Sequence, residues 1–522
     1  MVNMATQVLD ILSARLPLIG TTILVSLVAF VIQRIFAHDP LAEIPWIGVE
    51  LGDSEKRRKA FQNGGAKALY KRGYEKFKTG IFRLTSMRDA SVVVVSPDFL
   101  PELKKLPDDV LSMKIAVMED LESKYTGLKT DDDIVPHTIK VNLTPALIRL
   151  NPAIAEEVDR TLKAEFPSCK DWTPVKINSK LLRVVAIVSG RIFIGPELCH
   201  DEEYIDAAIN YTVELMTARR AVQEISPVWM KRFRAPFLPE VKSLAEREKK
   251  VTRFLTPIVT ARRDRERDDP GYKKPDDMLQ WIVDAEKKFG VKEDAEIARL
   301  QCILSFAAIH TTTMTALNVF YNLAAYPNTV PEIREEVKTV LAEHDNQFTS
   351  HAMQSMKKLD SFLKETLRVH PPSFASFNRK VLKPIHLSNG TVIPAGVTLE
   401  VPAYGISRDP ATFPNPDDFD GLRFYRMREA NESFNSSSAS AVEAAAHNQF
   451  VSVSQNSLTF GYGRHACPGR FFAANEIKMI IARAVLTWDV RNVGGEKGRY
   501  PNFDVGVACV PDPRRELEFK EL

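Results

Sequence analysis

One cysteine lies in the stretch Phe460-Gly461-Tyr462-Gly463-Arg464-His465-Ala466-Cys467-Pro468-Gly469-Arg470. The glycines and the Pro-Gly pair dictate a tight bend, and an apolar helical pattern starts directly after it. The sulfur of Cys467 is therefore held on a loop at the start of a helix, among cationic neighbours. Each of those features lowers a thiol pKa and favours the thiolate, the form that binds metals. Read as Cys-Pro-Gly alone, the stretch fits equally well a buried, inert cysteine beside a turn.

The full spacing is more specific. Phe-x-x-Gly-x-(Arg or His)-x-Cys-x-Gly resembles the haem-binding loop of the cytochrome P450 superfamily, matched here by Phe460, Gly463, His465, Cys467 and Gly469. The resemblance implies that Cys467 is the axial thiolate ligand of haem iron, whose electron donation favours O–O cleavage. It also implies glycines that let backbone amides approach the sulfur and tune the iron.

Composition narrows the alternatives. The 522 residues are 44% hydrophobic and 26% charged, an ordinary globular balance. Seventy basic against 67 acidic residues give a net charge of +3, with no long basic run, which argues against a nucleic-acid partner. Cys169, Cys199, Cys302, Cys467 and Cys509 are scattered without CxxC spacing, excluding a zinc ribbon or a disulfide scaffold and fitting a reducing compartment.

Leu16 to Gln33 carries no charge. A run of about 18 such residues is just long enough to cross a bilayer as a helix. No small-residue cleavage site follows it. Arg34 and then Lys56, Arg57, Arg58 and Lys59 outnumber the single Arg15 before the run, which places the body of the protein in the cytosol by the positive-inside rule. Residues 1–40 are thus expected to form a single-pass anchor and the start of a hinge, and 41–522 the body. Ile44-Pro45-Trp46-Ile47-Gly48 resembles the proline-containing hinge of microsomal members of the family.

Within the body, Ser91 to Ser96 reads as a strand from its valine run. Ser226 to Glu240 mixes Trp229, Met230, Phe233, Phe237 and Leu238 with Lys231, Arg232 and Arg234; this suits either a membrane surface or a solvated loop. A helical pattern from about Lys292 to Tyr326 ends at Pro327 and, at 1.5 Å per residue, is on the order of 50 Å long. Its middle, Phe306 to Thr313, is uncharged and should be buried. The run resembles the family's oxygen-activation segment, with Thr311 at the position of the threonine that serves bound dioxygen. Ala308 replaces a common glycine, and His310 stands where an acid is usual. Histidine can relay protons near neutral pH, or His310 can simply satisfy a core hydrogen bond.

Glu365 and Arg368 are three apart and share a helix face directly before Pro371-Pro372. They resemble the family's Glu-x-x-Arg element, which implies a buried network with Arg423 that holds the cysteine loop. Asn389-Gly390 between β-branched residues signals a hairpin. Arg379 matches a propionate-binding arginine, a role suited to bidentate guanidinium–carboxylate pairing, and His465 a motif position given the same task. The family's Trp-x-x-x-Arg clamp has no match. Residues 431–457, rich in Ser, Ala and Asn, read as a disordered surface insertion, and Asn502 to Phe519 as a terminal hairpin.

The expected fold is therefore mainly α with a small β region, the cytochrome P450 fold behind an N-terminal anchor helix. No Gly-rich dinucleotide motif is present. The resemblance implies haem b as the cofactor, with electrons from NADPH through a membrane-bound cytochrome P450 reductase docking near Arg464 and Arg470, and residence at the endoplasmic reticulum membrane. It implies O₂-dependent hydroxylation or repeated oxidation of an apolar substrate in a pocket built from Ala307, Ala308, Ile309 and Ser373 to Phe377. Ala307-Ala308-Ile309-His310-Thr311-Thr312 and the run Asp277 to Trp281 look like filamentous-fungal oxidases of secondary metabolism, above all those acting on diterpenoids such as gibberellin precursors and indole diterpenes, and some polyketide oxidases. A haem-thiolate isomerase or peroxygenase needing no reductase is the rival, kept open by His310. A non-catalytic haem-thiolate sensor is a further one.

Overall fold

A computed structural model describes residues 41–128, 132–434 and 446–522, with scattered positions between 15 and 29. Two compact units emerge, Met1–Pro45 and Trp46–Leu522. In the first, the described positions between 15 and 29 are helical and solvent-facing. Most of the expected anchor lies outside the described residues.

Eight longer helices of the second unit matter for the site: α1 (Thr144–Glu165), α2 (Ile177–Phe193), α3 (Glu202–Gln223), α4 (Pro239–Asp268), α5 (Asp294–Ala325), α6 (Lys357–Val369), α7 (Arg423–Phe434) and α8 (Arg470–Thr487). Helix α5 is the axis of the packing and touches α2, α3, α4, α6 and α8. Among the described residues it is also the one helix long and apolar enough to cross a membrane. Its partners bury it instead, because its apolar residues run round most of the circumference and only a core satisfies that pattern. The helix starts and stops within two residues of the sequence expectation, terminated by Tyr326 and Pro327.

One sheet contains β1 (Ile81–Leu84), β2 (Val92–Val95), β3 (Leu111–Ser112), β4 (Ser376–Val381) and β5 (Thr398–Val401), in the spatial order β1-β2-β5-β4-β3. Strand β2 pairs antiparallel with β1 and parallel with β5, and its four valines are all buried, as a continuous β-branched run requires. Strand β4 carries a register shift between Ser376 and Arg379, where Phe377 takes φ +55°. A bulge of this kind re-aims side chains. The Asn389-Gly390 signal does form a hairpin, Ile385–His386 against Val392–Ile393, with Gly390 at φ +84°.

Two expectations change in detail. The C-terminal hairpin is shorter than expected, Asn502–Val505 against Ala508–Pro511. Leu517–Glu521 leaves it to pair between Thr173–Val175 and Trp488–Asn492, because the fully buried Leu517 and Phe519 join the main core. The loose insertion expected at 431–457 is ordered wherever it is described. Helix α7 continues to Phe434, residues 435–445 lie outside the described residues, and 446–457 folds back on the body with Phe450 2% exposed.

Glu476 on α8 is fully buried, and the Ser189 hydroxyl on α2 donates to it at 3.0 Å. Burial outweighs that hydrogen bond and pushes the carboxyl up to about 8. The folded state therefore holds a proton that the unfolded chain releases at its ordinary carboxylate value. The stability this gives is complete below that ordinary value and is lost as pH rises through about 8. Within that window the slope from one such group is about 1.4 kcal/mol per pH unit. Glu476→Gln should flatten the fall in urea midpoint between pH 6 and 8; parallel profiles for the two proteins would refute the assignment.

Candidate functional site

The cysteine loop is built by its backbone. Gly461 and Gly463 adopt φ +79° and +70°, and a Cβ on Gly463 would press to 3.2 Å from Lys104 Cβ. The Cys467 N–H donates to Phe460 O at 2.8 Å, closing the bend, and Ala466 N–H donates to Gly463 O at 3.0 Å. Helix α8 opens at Arg470, whose Nη1 returns to Cys467 O at 2.8 Å. Cys467 is the one described cysteine that is not fully buried.

The expected lowering of its thiol pKa is not what the loop alone produces. Burial pushes the thiol above its ordinary value, and the Gly469 and Arg470 N–H groups and the Arg470 guanidinium pull it back only in part. Desolvation of a half-buried sulfur exceeds the help of a helix terminus. A bound cation would reverse the balance, since a coordinating thiol is deprotonated outright.

Helix α5 packs against α8, the helix that follows this loop. Ala307 and Thr311, one turn apart, are exposed, although Ile309, Thr312 and Thr313 are buried. Halfway along the core helix the chain therefore leaves this face of α5 uncovered, with a hollow beside it. Ala308, Phe460 and Phe471 all pack partly buried against the main core cluster, to which α5 and α8 both contribute. Thr311 Oγ1 donates to Ala307 O at 2.8 Å, which leaves its lone pairs free to accept.

His310 is not brought there. Its Nε2 lies 2.8 Å from Ile209 O on α3, and burial holds its pKa below the ordinary histidine value. Consecutive helical residues diverge by about 100°, so Thr311 and His310 cannot serve the same face. The expected pocket lining narrows as well. Ile309 and Phe374 are fully buried, and Phe374 packs edge-on against Tyr404 in a separate cluster, 5.3 Å between ring centres.

Arg379 is 6% exposed, stacks 4.3 Å from the Phe377 ring and donates to Asn378 O at 2.8 Å. Among the described residues no carboxylate pairs with it, and burial lowers its pKa to about 10. A buried guanidinium without a counter-ion is costly, and an anionic group docking there would relieve it. It lines a cleft with Tyr462, Arg464 and His465. His465, in contrast, already has an acid: its Nε2 is 2.9 Å from Asp108 Oδ1, which Arg464 Nη2 also reaches at 2.7 Å. Neither Asp108 nor Lys140, which donates to Arg464 O at 3.3 Å, carries a local sequence signal.

These features fit a haem. Arg379 has no carboxylate partner among the described residues, nothing lies within 4 Å of a Cβ on Gly469, and a bound metal would offset the raised thiol pKa.

Glu365, fully buried, receives Arg368 Nε and Nη2 at 2.7 and 2.8 Å, Arg423 Nε at 3.1 Å and the Asp420 N–H at 3.1 Å. The two arginines spend their remaining donors on main-chain oxygens of Ser407, Pro414, Asn415, Pro416 and Asp418. The bend at 414–420 is thereby wound round a single carboxylate.

Comparison with known proteins agrees with this geometry. The sequence profile described as Cytochrome P450 matches residues 61–517. The chain is 37% identical to cytochrome P450 monooxygenase ATR3 of Stachybotrys chlorohalonatus, covering 84% of this chain and 90% of that one. It is 35% identical to monooxygenase paxP of Penicillium paxilli (87% and 85% covered) and 32% to BOA4 of Botryotinia fuckeliana (96% and 97%). In fold it is similar to retinoic acid bound cyanobacterial CYP120A1, with a TM-score of 0.66 over 92% of this chain and 99% of that one at 17% identity. The chain belongs to the cytochrome P450 family, as a monooxygenase that works with haem and with electrons from NADPH passed on by a redox partner.

Proposed function

We propose that Cys467 Sγ is the axial ligand of the haem iron, that Arg379 pairs with a haem propionate, and that the hollow beside Ala307 and Thr311 takes an apolar secondary metabolite of the terpenoid class, a diterpenoid foremost. The observation that carries this reading is the half-buried thiol at the start of α8, a helix that packs on α5, whose middle leaves Ala307 and Thr311 exposed. Haem bound there supplies the activation of O₂ that places oxygen on an unactivated carbon. The residues do the rest. The loop amides steady the sulfur, apolar walls exclude water, and Thr311 accepts a hydrogen bond from a water that delivers protons. The terpenoid assignment rests on the sequence resemblance around Ala307 to Thr312.

The anchor within residues 1–40 fixes the body to the cytosolic face of the endoplasmic reticulum membrane. Trp229, Phe233 and Phe237, 67%, 61% and 72% exposed, form a second contact with it. Reductase docking near the thiolate side has Arg464 at its disposal, whereas Arg470 is turned inward onto Cys467 O. The isomerase or peroxygenase alternative drew on His310, which is engaged with Ile209.

The test is turnover in microsomes that carry the protein and a fungal reductase, offered diterpenes, sesquiterpenes, polyketides and fatty acids with and without NADPH. NADPH-dependent gain of oxygen on diterpenes supports the reading, gain on polyketides alone overturns the substrate class, and product formation without NADPH overturns the reductase. Thr311→Ala should keep consuming NADPH while product per NADPH falls by about tenfold or more, less than the roughly 10²–10⁴-fold of a direct acid–base group because Thr311 only positions the water. Unchanged coupling would remove Thr311 from proton delivery.

A further inference from the structure

Beneath the Glu365 network lies a second buried charge cluster. Asp360 and Lys364 sit one turn apart on α6, Arg428 on α7 and Lys478 on α8, and all four are 7% exposed or less. Asp360 accepts from Lys478 Nζ at 2.5 Å and from Arg428. Three cations thus share one carboxylate, and the main chain supplies the missing acceptors. Lys364 Nζ donates to His447 O at 3.2 Å, Gln449 O at 2.7 Å and Ser457 Oγ at 3.3 Å. Arg428 Nη2 donates to Asn448 O at 2.7 Å, and the Phe450 N–H donates to Asp360 Oδ2 at 2.9 Å. The excess positive charge is a socket for successive carbonyls of residues 447–449, and it is satisfied only while that segment stays in place.

Residues 447–457 lead straight into the cysteine loop. The Ser376 hydroxyl holds Leu458 O at 2.8 Å, and the Phe450 ring meets the Phe460 ring edge-on at 5.6 Å. Between 456–459 and α6 lies a cavity of about 40 Å³ bordered by Lys364, Arg368 and Phe424. The run 456–459 is therefore not close-packed against α6 throughout, and polar contacts help to hold it beside the buried Leu458. Burial lowers the Lys364 ammonium to about 7, against the pull of the Asp360 carboxylate.

We propose that Asp360, Lys364, Arg428 and Lys478 form a second clamp that positions the cysteine loop through residues 447–458, with Lys364 as the positioning residue that grips the segment directly. The clamp acts on haem ligation only if Cys467 is the ligand, and so rests on the function proposed above.

The test uses the full-length membrane-bound holoprotein with two readouts, amide hydrogen exchange over 447–467 and the lifetime of the thiolate-type absorbance of the ferrous carbon-monoxide complex. Lys364→Met should speed exchange at 447–460 by about tenfold with no change in α5, and shorten that lifetime by a similar factor. Ser457→Ala, which removes one acceptor, should move both in the same direction by about two- to threefold. Exchange at 447–460 that is unchanged, or that rises equally in α5, would overturn the clamp. If Lys364→Met does not fold, Ser457→Ala decides by the same criteria. Absence of the thiolate-type absorbance in the wild-type protein would overturn the ligand assignment instead, and exchange alone would then judge the clamp.

Discussion

Cys467→Ala is expected to abolish NADPH-dependent oxygen insertion while leaving the body of the protein folded. The second half of that expectation follows from the backbone. The loop is closed by main-chain bonds, Cys467 N–H to Phe460 O and Ala466 N–H to Gly463 O, and alanine makes both. The turns depend on Gly461 and Gly463, which are untouched. The side chain contributes one half-buried sulfur, whose removal costs about 1 kcal/mol or so of packing, far less than a domain's stability. The first half follows from chemistry, since nothing else at the loop offers a soft anionic ligand: Arg464 and Arg470 are cations and His465 is engaged with Asp108. Haem content should fall but not vanish, because Arg379 and the apolar hollow remain. Thermal unfolding, haem content and turnover measured together check it. Turnover within tenfold of wild type would refute Cys467 as the ligand.

What could be read in advance divides by range. Helix α5 was legible almost to the residue, because an uninterrupted apolar run and a following proline are local signals. The valine strand and the Asn-Gly hairpin were legible for the same reason. Glu365 and Arg368 share a helix face by arithmetic, but Arg423 joins them only through tertiary structure. Asp108 meets Arg464 and His465 from the far side of the chain, and no local spacing announces that contact. His310 shows how a residue's type leaves two readings open: a histidine in this register suits proton relay or a core hydrogen bond, and its direction is set by a carbonyl of α3. The segment 446–457 failed for a related reason. Its composition is polar, and what orders it is one buried ring, Phe450, together with its own carbonyls, which every residue possesses and no composition reveals.

Glu365→Ala should be the most damaging single change to stability, at about 3–5 kcal/mol, the range for breaking a buried ion pair from one side. The asymmetry of the network predicts a ranking. Removing Arg423 leaves Glu365 with both bonds from Arg368 and with the Asp420 N–H, so the carboxylate stays neutralised. Removing Glu365 strands two guanidinium charges at once. Their remaining acceptors are carbonyls, which satisfy hydrogen bonds but not charge. Arg423→Met should therefore cost clearly less than Glu365→Ala. Arg426→Ala is the control: its side chain is 57% exposed and pairs with Asp420 at the surface, so it should cost under about 1 kcal/mol. Urea unfolding of the three variants measures the order directly. Because the bend at 414–420 is wound round Glu365, the loss should also appear as lower haem content in Glu365→Ala protein that is still folded at low denaturant. A Glu365→Ala protein within 1 kcal/mol of wild type would mean that the carbonyls alone carry the arginines, and that the bend is held by hydrogen bonding without charge.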